Sequence, residues 1–329
     1  MKIGKLPNSV LNKIVIEPIS KNNKKKKEII VSPKVGEDCS VINLGEEYCV
    51  LSTDPITGAS NNIGNLAVNI NCNDIASSGA EVVGIMITAL LPPQITEDEI
   101  SKILTEICTE ADKNNIAILG GHTEITDAVN RPVISCTVIG KTKGKKFISS
   151  SGAKVGQDVI MTKWAGLEGS SIIANDFEKE LTKKVDSKII EKCKGFSEML
   201  SVMKEAEICS DFGATCMHDI TEGGVLGGCR EIAECSEKGI EVYLDKIPVF
   251  EETKILCNAV GVNYLRLISS GSLLVTAENG QKLIQILKDN GINAEIIGKI
   301  RESGFYVVEN EKMSELGDVE VDELYNVKI

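Results

Sequence analysis

The sequence predicts a two-domain protein in which each half combines strands and helices as α+β or α/β layers. The chain has 329 residues, which fits two domains with material for a core in each. Both halves alternate short, β-branched, strand-like runs with segments of helical periodicity. A Ser- and Gly-rich stretch at 149–156 separates the halves. We therefore expect domains at 1–150 and 151–329.

The first half is arranged around one segment with helical periodicity. Ile63, Leu66, Ala67 and Ile70 recur at helical spacing and form an apolar stripe. If this helix continues, Asp74 lies on the apolar face, where a carboxylate is costly unless it is paired or holds a cation. The alternative is that Asn73-Asp74 only caps the end of the helix. A second helix is predicted at 96–114, where Thr96 and Glu99 have the spacing of a capping box.

The remaining elements follow from apolar runs and turn residues. Strands are predicted at 29–31, 39–44, 48–53, 82–91, 116–119 and 133–139 in the first half, and at 158–162, 216–220, 241–244, 265–268, 273–276, 294–299 and 305–308 in the second. Helices of the second half are predicted at 170–177, within 181–209, from the glycines at 223–224 to 235, at 251–259 and at 280–290.

Composition excludes several classes of function. The formal net charge of −12 gives no basic footprint for nucleic acid. The one basic run, Lys24 to Lys27, is interpreted as a solvated loop, with a phosphate-reaching loop as the alternative. No stretch has the roughly 20 apolar residues of a membrane span, and 1–19 lacks a signal-peptide pattern, so we expect a cytoplasmic protein. The 11 cysteines have no metal-binding spacing and are expected to be buried, reduced thiols.

Four aspartates stand beside Gly or small residues at predicted element ends: Asp38, Asp54, Asp74 and Asp219. Carboxylates together with phosphate oxygens are the ligands that Mg²⁺ prefers. Asp54 ends a strand, which suits a metal ligand, although an Asp before Pro also commonly starts a turn.

Both histidines of the chain lie in glycine-rich junctions, GGHTE at His122 and HDITEGG at His218. Glycine pairs at 120–121 and 223–224 would let backbone N–H groups approach a phosphate closely. Neither junction is a Walker A loop or a Rossmann fingerprint. The residues alone thus favour a nucleotide or phosphate ligand held by magnesium and glycine backbone. The alternative for each histidine is a packed side chain.

Seven motifs together resemble the AIR synthase (PurM-like) superfamily, most closely the branch of the hydrogenase maturation factor HypE. They are VGEDCSVI (35–42), STDPI (52–56), NIGNLAVNINCNDIASSGA (62–80), GGHTEIT (120–126), GAKVGQDVIMT (152–162), HDITEGGV (218–225) and LISSGSLL (267–274). The resemblance implies a homodimer whose N-terminal domains share a β-barrel, C-terminal α/β sandwiches, and ATP with Mg²⁺ in the cleft between domains.

By motif match, the resemblance also implies roles for individual residues. The metal ligands would be Asp38, Asp54 and Asp74, and the catalytic candidates are His122, Glu124 and His218. The nucleotide-binding candidates are Asn73, Gly120, Gly121, Thr123, Asp219, Glu222, Gly223 and Gly224. The implied chemistry is phosphoryl transfer from ATP to an oxygen of a small-molecule substrate or carbamoyl-type group, with a maturation factor as a possible protein partner.

Three departures from the HypE pattern limit this expectation. The last cysteine is Cys257, whereas HypE ends in a cysteine that carries the reacting group. GGHTE stands where HypE typically has GGDTK, and Ser270 stands where it often has Glu. Two alternatives therefore remain: a non-catalytic nucleotide-binding scaffold in a maturation complex, and a true HypE whose tail cysteine is supplied otherwise.

Overall fold

Two mixed β-sheets, one in each half of the chain, form the frame of the computed structural model. The structure describes residues 6, 8–22, 26–34, 36–57, 59, 61–318 and 321–328. Lys24 and Lys25 of the basic run lie outside these residues. The first sheet has strand order β1-β2-β3-β6-β4-β5. Its strands are β1 Ile29–Val31, β2 Ser40–Asn43, β3 Tyr48–Ile56, β4 Glu81–Leu91, β5 Ala117–Ile125 and β6 Val133–Lys141.

Among the described residues, helices cover one face of the first sheet. The helices of this half are α1 Asn8–Leu11, α2 Glu17–Asn22, α3 Ile63–Ser77 and α4 Glu97–Lys113, with a π-helical turn at Asn12–Ile16. The predicted capping box at the start of α4 is confirmed, because Thr96 Oγ1 accepts from Glu99 N while Glu99 Oε2 accepts from Thr96 N. α3 packs against α4 on one side and against β3 and β6 on the other.

The opposite face of this sheet is open in the single chain. Thr53, Pro55, Met86, Thr88 and His122 are all exposed on it. The strand register places such residues side by side on this face; Thr88 of β4, for example, pairs with His122 of β5. β5 was expected to be a buried strand at 116–119, which is wrong. It is a longer strand at the edge of the sheet, and all nine of its residues are exposed.

The second sheet has order β13-β12-β9-β11-β7-β10-β8 and carries helices on both faces. Its strands are β7 Asp158–Thr162, β8 Cys216–Asp219, β9 Gly239–Tyr243, β10 Leu273–Ala277, β11 Ala294–Arg301, β12 Phe305–Glu309 and β13 Lys312–Glu315. Its helices are α5 Leu167–Asp176, α6 Glu178–Leu181, α7 Ser187–Lys194, α8 Met203–Phe212, α9 Gly224–Cys235, α10 Glu251–Val260 and α11 Gly280–Asp289, with 3₁₀ turns at Gly195–Met199, Leu244–Lys246 and Glu323–Asn326.

The expectation of two α+β halves is thus confirmed. The predicted boundary at 150/151 falls between the end of β6 at Lys141 and the start of β7 at Asp158. All 11 cysteines are unpaired and most are buried, as expected. In the described part of the chain, no helix combines the length and the apolar character needed to cross a bilayer.

Segment 265–268 is not the strand that its apolar residues predicted. Leu265 O accepts from Leu226 N of α9, and Ile268 O accepts from Gly169 N of α5. The segment therefore bridges the starts of two helices instead of pairing in the sheet. Gly224 permits this contact, since a Cβ there would lie 2.7 Å from Leu267 O.

Candidate functional site

A cleft of about 410 Å³ lies between the two halves and is strongly acidic. Among the described residues that line it are one basic side chain, Arg131, and six acidic ones, Asp38, Asp54, Asp74, Glu168, Glu222 and Asp322. The acidic residues come from both halves and from the C-terminal tail. The cleft thus brings together aspartates that are far apart in the sequence, as the motifs predicted.

Asp74 lies on the buried side of α3, only 3% exposed. The helix continues to Ser77, so Asp74 is an interior position and not the cap that was the alternative. Ser52 Oγ, on β3, donates to Asp74 Oδ2 at 2.5 Å. Burial raises the pKa of this carboxyl well above its usual value, and the nearby charges of Asp219, Asp38 and Asp54 raise it further. Asp74 is therefore held rigidly at a point where negative charge accumulates.

His218 lies on β8 between two carboxylates. Its Nδ1 is 3.2 Å from Asp38 Oδ2, and its Nε2 is 2.9 Å from Glu231 Oε2 on α9. Burial alone would lower the pKa of the imidazole, but the hydrogen bonds to Asp38 and Glu231 outweigh it and raise the pKa well above the usual value. His218 is thus an imidazolium that fixes the Asp38 side chain across the domain interface.

Asp219, the next residue on β8, is 1% exposed, and its Oδ2 has no hydrogen-bond partner among the described residues. Burial and the charge of Asp38 raise its pKa to about 7. One ligand atom each from Asp38, His218 and Asp219 lie within 4.8 Å of one another. Because His218 already contacts two carboxylates, the oxygens of Asp38 and Asp219 are the better candidates for holding a cation.

Asp54 stands near the end of β3 and also lines the cleft. Its backbone N–H donates to Asn71 Oδ1 of α3 at 2.8 Å, which fixes the strand end against the helix. The strand continues through Pro55 to Ile56, so Asp54 does not start a turn. Its place beside Asp38 and Asp74 is compatible with the predicted metal-ligand role.

The glycines at 223–224 open α9 as predicted, with Gly223 as the N-cap residue. The negatively charged group at this helix start is a side chain of the protein itself. Gly223 N donates to Asp322 Oδ2 at 2.7 Å, and Leu324 N donates to Asp322 Oδ1 at 2.8 Å. The C-terminal tail is thereby attached to the start of the helix. In this conformation the Gly223 N–H group is occupied by a carboxylate, and Glu222 beside it lines the cleft.

The GGHTE junction is not brought to the cleft of its own chain. Gly120, Gly121, His122, Thr123 and Glu124 all lie in the exposed strand β5. The His122 imidazole is 65% exposed, and its Nε2 is 3.1 Å from Glu124 Oε2. Close packing requires glycine at position 121, because a Cβ there would lie 1.8 Å from Ile87 O of β4. Roles for these five residues in nucleotide binding or catalysis remain predictions.

Asn73 was predicted to contribute to nucleotide binding, but in the structure both polar atoms of its side chain bond to the backbone of the other half. Its Nδ2 donates to Leu200 O at 2.8 Å, and its Oδ1 accepts from Val202 N at 2.9 Å. Asn73 is completely buried. It therefore joins α3 of the first half to segment 200–202 of the second half, because its amide satisfies two backbone groups at once.

Two protein-family models match the chain over most of its length. The model for the N-terminal domain of AIR synthase related proteins matches residues 36–142, and that for the C-terminal domain matches residues 154–309. The chain belongs to the AIR synthase related family. The resemblance inferred from the motifs is confirmed.

Relatives within the AIR synthase related family carry different names. A putative hydrogenase expression/formation protein of Methanocaldococcus jannaschii is 28% identical, covering 80% of this chain and 78% of the relative. A selenide, water dikinase of Methanococcus maripaludis is 27% identical over 97% of both chains. Carbamoyl dehydratase HypE of Escherichia coli is 22% identical, over 76% of this chain and 73% of HypE.

Solved structures of the family share the fold. A HypE–HypF complex superposes with a TM-score of 0.76 at 22% identity, covering 93% of this chain and 99% of that one. HypE in complex with ATP superposes with a TM-score of 0.70 at 17% identity, over 98% and 97% of the two chains. The two-domain architecture of this AIR synthase related chain is thus that of HypE.

Sequence reasoning missed three residues of the site: Glu168, Glu231 and Asp322. The helix predicted at 170–177 left Glu168 outside, whereas Glu168 lies in the first turn of α5, since the helix begins at Leu167. An acidic residue between small and apolar neighbours, in Gly166-Leu167-Glu168-Gly169, was the available signal. The other two gave no signal, because only the tertiary fold brings Glu231 to His218 and Asp322 to the cleft.

Proposed function

We propose that this chain is an ATP-dependent enzyme that activates an oxygen of a small molecule or carbamoyl-type group by phosphoryl transfer. The observation that carries the proposal is the pair Asp38 and Asp74 in the interdomain cleft, with the buried Asp219 close to both. The names of two relatives support it: carbamoyl dehydratase for one, and a complex with ATP for another of the same fold.

The aspartates of the cleft fit a divalent cation. Carboxylates that raise one another's pKa are an unfavourable arrangement by themselves, and the buried Asp219 Oδ2 has no hydrogen-bond partner in the described part of the chain. Oxygen donors of this kind suit Mg²⁺, which would be held by Asp38, Asp54 and Asp74 with Asp219 nearby. When bound, Mg²⁺ supplies the positive charge that lets a triphosphate enter an acidic cleft and that stabilises the charge of phosphoryl transfer.

The chain's own side chains orient the candidate metal ligands and neutralise part of the charge in the cleft. Ser52 orients the Asp74 carboxylate from β3, and the His218 imidazolium holds Asp38 from β8. Arg131 adds a positive charge at the cleft wall. Because Ser52, Asp74 and His218 sit on strands and a long helix, they need little reorganisation when the substrate binds.

The open face and free edge of the first sheet support a homodimer. β5 presents nine exposed residues at an edge, and edge strands of this length are normally covered. Met86 of β4 is 45% exposed on the open face. Pairing with a second copy would cover this surface and place His122 and Glu124 at the dimer interface, where they could serve the neighbouring cleft. We also propose a cytoplasmic location and a maturation-factor partner, the latter from the HypE–HypF complex.

A second candidate function is a non-catalytic, nucleotide-binding scaffold in a hydrogenase maturation complex. It is favoured by the position of His122 and Glu124 outside the cleft of their own chain. ATP turnover separates the two functions, since a scaffold binds the nucleotide without hydrolysing it.

Calorimetric titration of Mg·ATP tests the nucleotide site. We expect saturable, magnesium-dependent binding to the wild type, at least tenfold weaker in Asp74→Asn. Asp112→Asn, at an exposed position of α4, is the matched control and should bind like the wild type. Stimulation of ATP hydrolysis by carboxamide or carboxylate compounds would then support the enzyme, whereas binding without any turnover would support the scaffold. A folded wild type that does not bind Mg·ATP would contradict both.

A further inference from the structure

Lys163 is a buried lysine directly after β7, and the phosphoryl-transfer proposal gives it no role. Its backbone φ of 54° lies in the left-handed region, which a residue with a side chain rarely adopts. Asn293 holds this conformation, because its backbone O accepts from Lys163 N at 2.8 Å and its Nδ2 donates to Lys163 O at 3.3 Å. A strained backbone that is fixed on both sides of the residue determines the direction of the lysine side chain.

The ammonium group of Lys163 has three partners, one for each of its N–H donors. Nζ donates to Met199 O at 2.8 Å and to Ser201 O at 2.5 Å, and it lies 2.7 Å from Glu205 Oε1 in the first turn of α8. Glu205 is buried as well. A buried charge is costly unless an opposite charge and hydrogen bonds compensate for it, and Lys163 has both. Lys163 is therefore a fixed cation that anchors the backbone at Met199 and Ser201.

Segment 199–202 is held by side chains from both halves of the protein. Lys163 binds the carbonyl groups of residues 199 and 201, whereas Asn73 binds the carbonyl of Leu200 and the N–H of Val202. Residues 200–202 lie between a 3₁₀ turn and α8 and belong to neither. The two side chains therefore determine where the backbone groups of this segment point.

Asn73 connects this segment to the candidate metal site. It precedes Asp74 on α3, and α3 packs against α8. The two hydrogen bonds of the Asn73 amide fix the rotation of α3 about its axis at this point, and that rotation sets where the Asp74 carboxylate lies relative to Asp38. A shift of segment 199–202 would thus move one candidate ligand away from another.

We propose that Lys163 is a positioning residue of the candidate metal site, acting through segment 199–202 and Asn73 on Asp74. Lys163 is not among the described residues that line the cleft, so its effect on a bound cation passes through these contacts. The inference rests on the proposed function, because it concerns how tightly that site holds Mg²⁺. Outer contacts that orient a metal ligand commonly affect metal affinity as strongly as some ligands do.

ATP binding to the full chain at a series of Mg²⁺ concentrations tests the inference. In Lys163→Met the Mg²⁺ concentration for half-maximal binding should rise by about fivefold or more. Lys163→Met/Glu205→Met should show the same rise and still fold normally, because apolar side chains of similar volume replace the whole ion pair. Lys194→Met is the control, since Lys194 also contacts two carboxylates, Glu178 and Glu191, and should leave the Mg²⁺ requirement unchanged.

Two further measurements follow the route from Lys163 to Asp74. Lys163→Met/Asn73→Ala should raise the Mg²⁺ requirement no more than the stronger single substitution, because both act on segment 199–202. Hydrogen exchange of the Val202 amide reads the same segment without any ligand. This amide should exchange about tenfold faster in Lys163→Met than in Val242→Ala, which lowers stability at a completely buried position of β9.

Three results would overturn the inference. They are an unchanged Mg²⁺ requirement in the folded Lys163 variants, additive effects of Lys163→Met and Asn73→Ala, and Val202 exchange no faster in Lys163→Met than in Val242→Ala. Each of them leaves the proposed function intact, since the wild type still binds ATP with Mg²⁺. A folded wild type that binds ATP at no Mg²⁺ concentration would overturn the proposed function and, with it, the metal site that Lys163 is proposed to position.

Discussion

The Nδ1 atom of His218, in the C-terminal half, lies 3.2 Å from Oδ2 of Asp38, in the N-terminal half. The other ring nitrogen lies 2.9 Å from Glu231 Oε2. The imidazolium is thus shared between a carboxylate of each half, directly beside Asp219. The same contact stabilises the domain interface and fixes the position of a candidate metal ligand, so stability and site geometry depend on one side chain.

His218→Ala should destabilise the protein by about 2–4 kcal/mol at neutral pH, since Asp38 and Glu231 lose their shared counter-charge. The value is below that of a completely buried pair because the two carboxylate side chains are 28% and 24% exposed. Urea denaturation measures it. His122→Ala changes the other histidine of the chain at an exposed position and should cost less than about 0.5 kcal/mol. Equal effects of the two substitutions would contradict the bridging role of His218.

Asn73→Ala should lower the free energy of unfolding by about 2–4 kcal/mol, because Leu200 O and Val202 N would both be left buried without a partner. Urea denaturation again gives the measurement. Asn130→Ala, at an exposed position between β5 and β6, is the control and should be nearly neutral. A direct role in binding nucleotide would instead appear as loss of Mg·ATP affinity with unchanged stability.

Met86→Lys should convert a dimer to a monomer, if the open sheet face joins two copies. Met86 is 45% exposed on that face, and a lysine there would place an unpaired charge inside the interface. Met313→Lys is a closely matched control, because Met313 is 50% exposed on β13 of the other sheet. Light scattering after size-exclusion chromatography measures the mass. A wild type that is monomeric at all concentrations, or a dimer unaffected by Met86→Lys, would refute this interface.

Gly121→Ala should cost at least about 2 kcal/mol more than Gly120→Ala. Both glycines have a positive φ, 132° at Gly120 and 149° at Gly121, so backbone strain is similar in the two variants. Only at Gly121 would the new Cβ meet a backbone atom, Ile87 O, whereas the space beside Gly120 is open. Thermal unfolding compares them. Similar losses would mean that strain, and not the approach of β4 to β5, requires glycine at 121.

Local signals predicted the fold well. The capping box at Thr96 and the stripe along α3 are properties of neighbouring residues, so helix periodicity was enough to find them and to place Asp74 on the buried face. The strand predicted at 265–268 was wrong, because the carbonyl groups of this segment accept hydrogen bonds from the first turns of two helices that lie far away in the sequence. β13 was missed because Lys312–Glu315 is polar and exposed and carries no alternating pattern.

The site was predictable only where a motif carried it. Asp38, Asp54, Asp74, His218 and Asp219 stand beside glycines or element ends, and they do meet in the fold. A nucleotide-binding role for Asn73 stays a prediction, and helical spacing gave no sign that its amide would bind the backbone at 200–202. Glu231 and Asp322 contribute through contacts between distant segments, which no spacing in the sequence encodes.

Glu168→Gln should stabilise the protein increasingly as pH rises. In the folded state burial raises the pKa of Glu168 from 4.5 to about 8, so between these values the folded chain retains a proton that the unfolded chain has lost. The stability that the protonated acid contributes is complete below pH 4.5 and is lost as pH rises toward 8. The free energy of unfolding of wild type should therefore fall relative to Glu168→Gln, by at most about 5 kcal/mol over the whole window. Urea denaturation at several pH values measures the difference, with Glu97→Gln on the surface of α4 as the control. A difference that stays constant between pH 5 and 8 would mean that Glu168 is ionised in the folded protein.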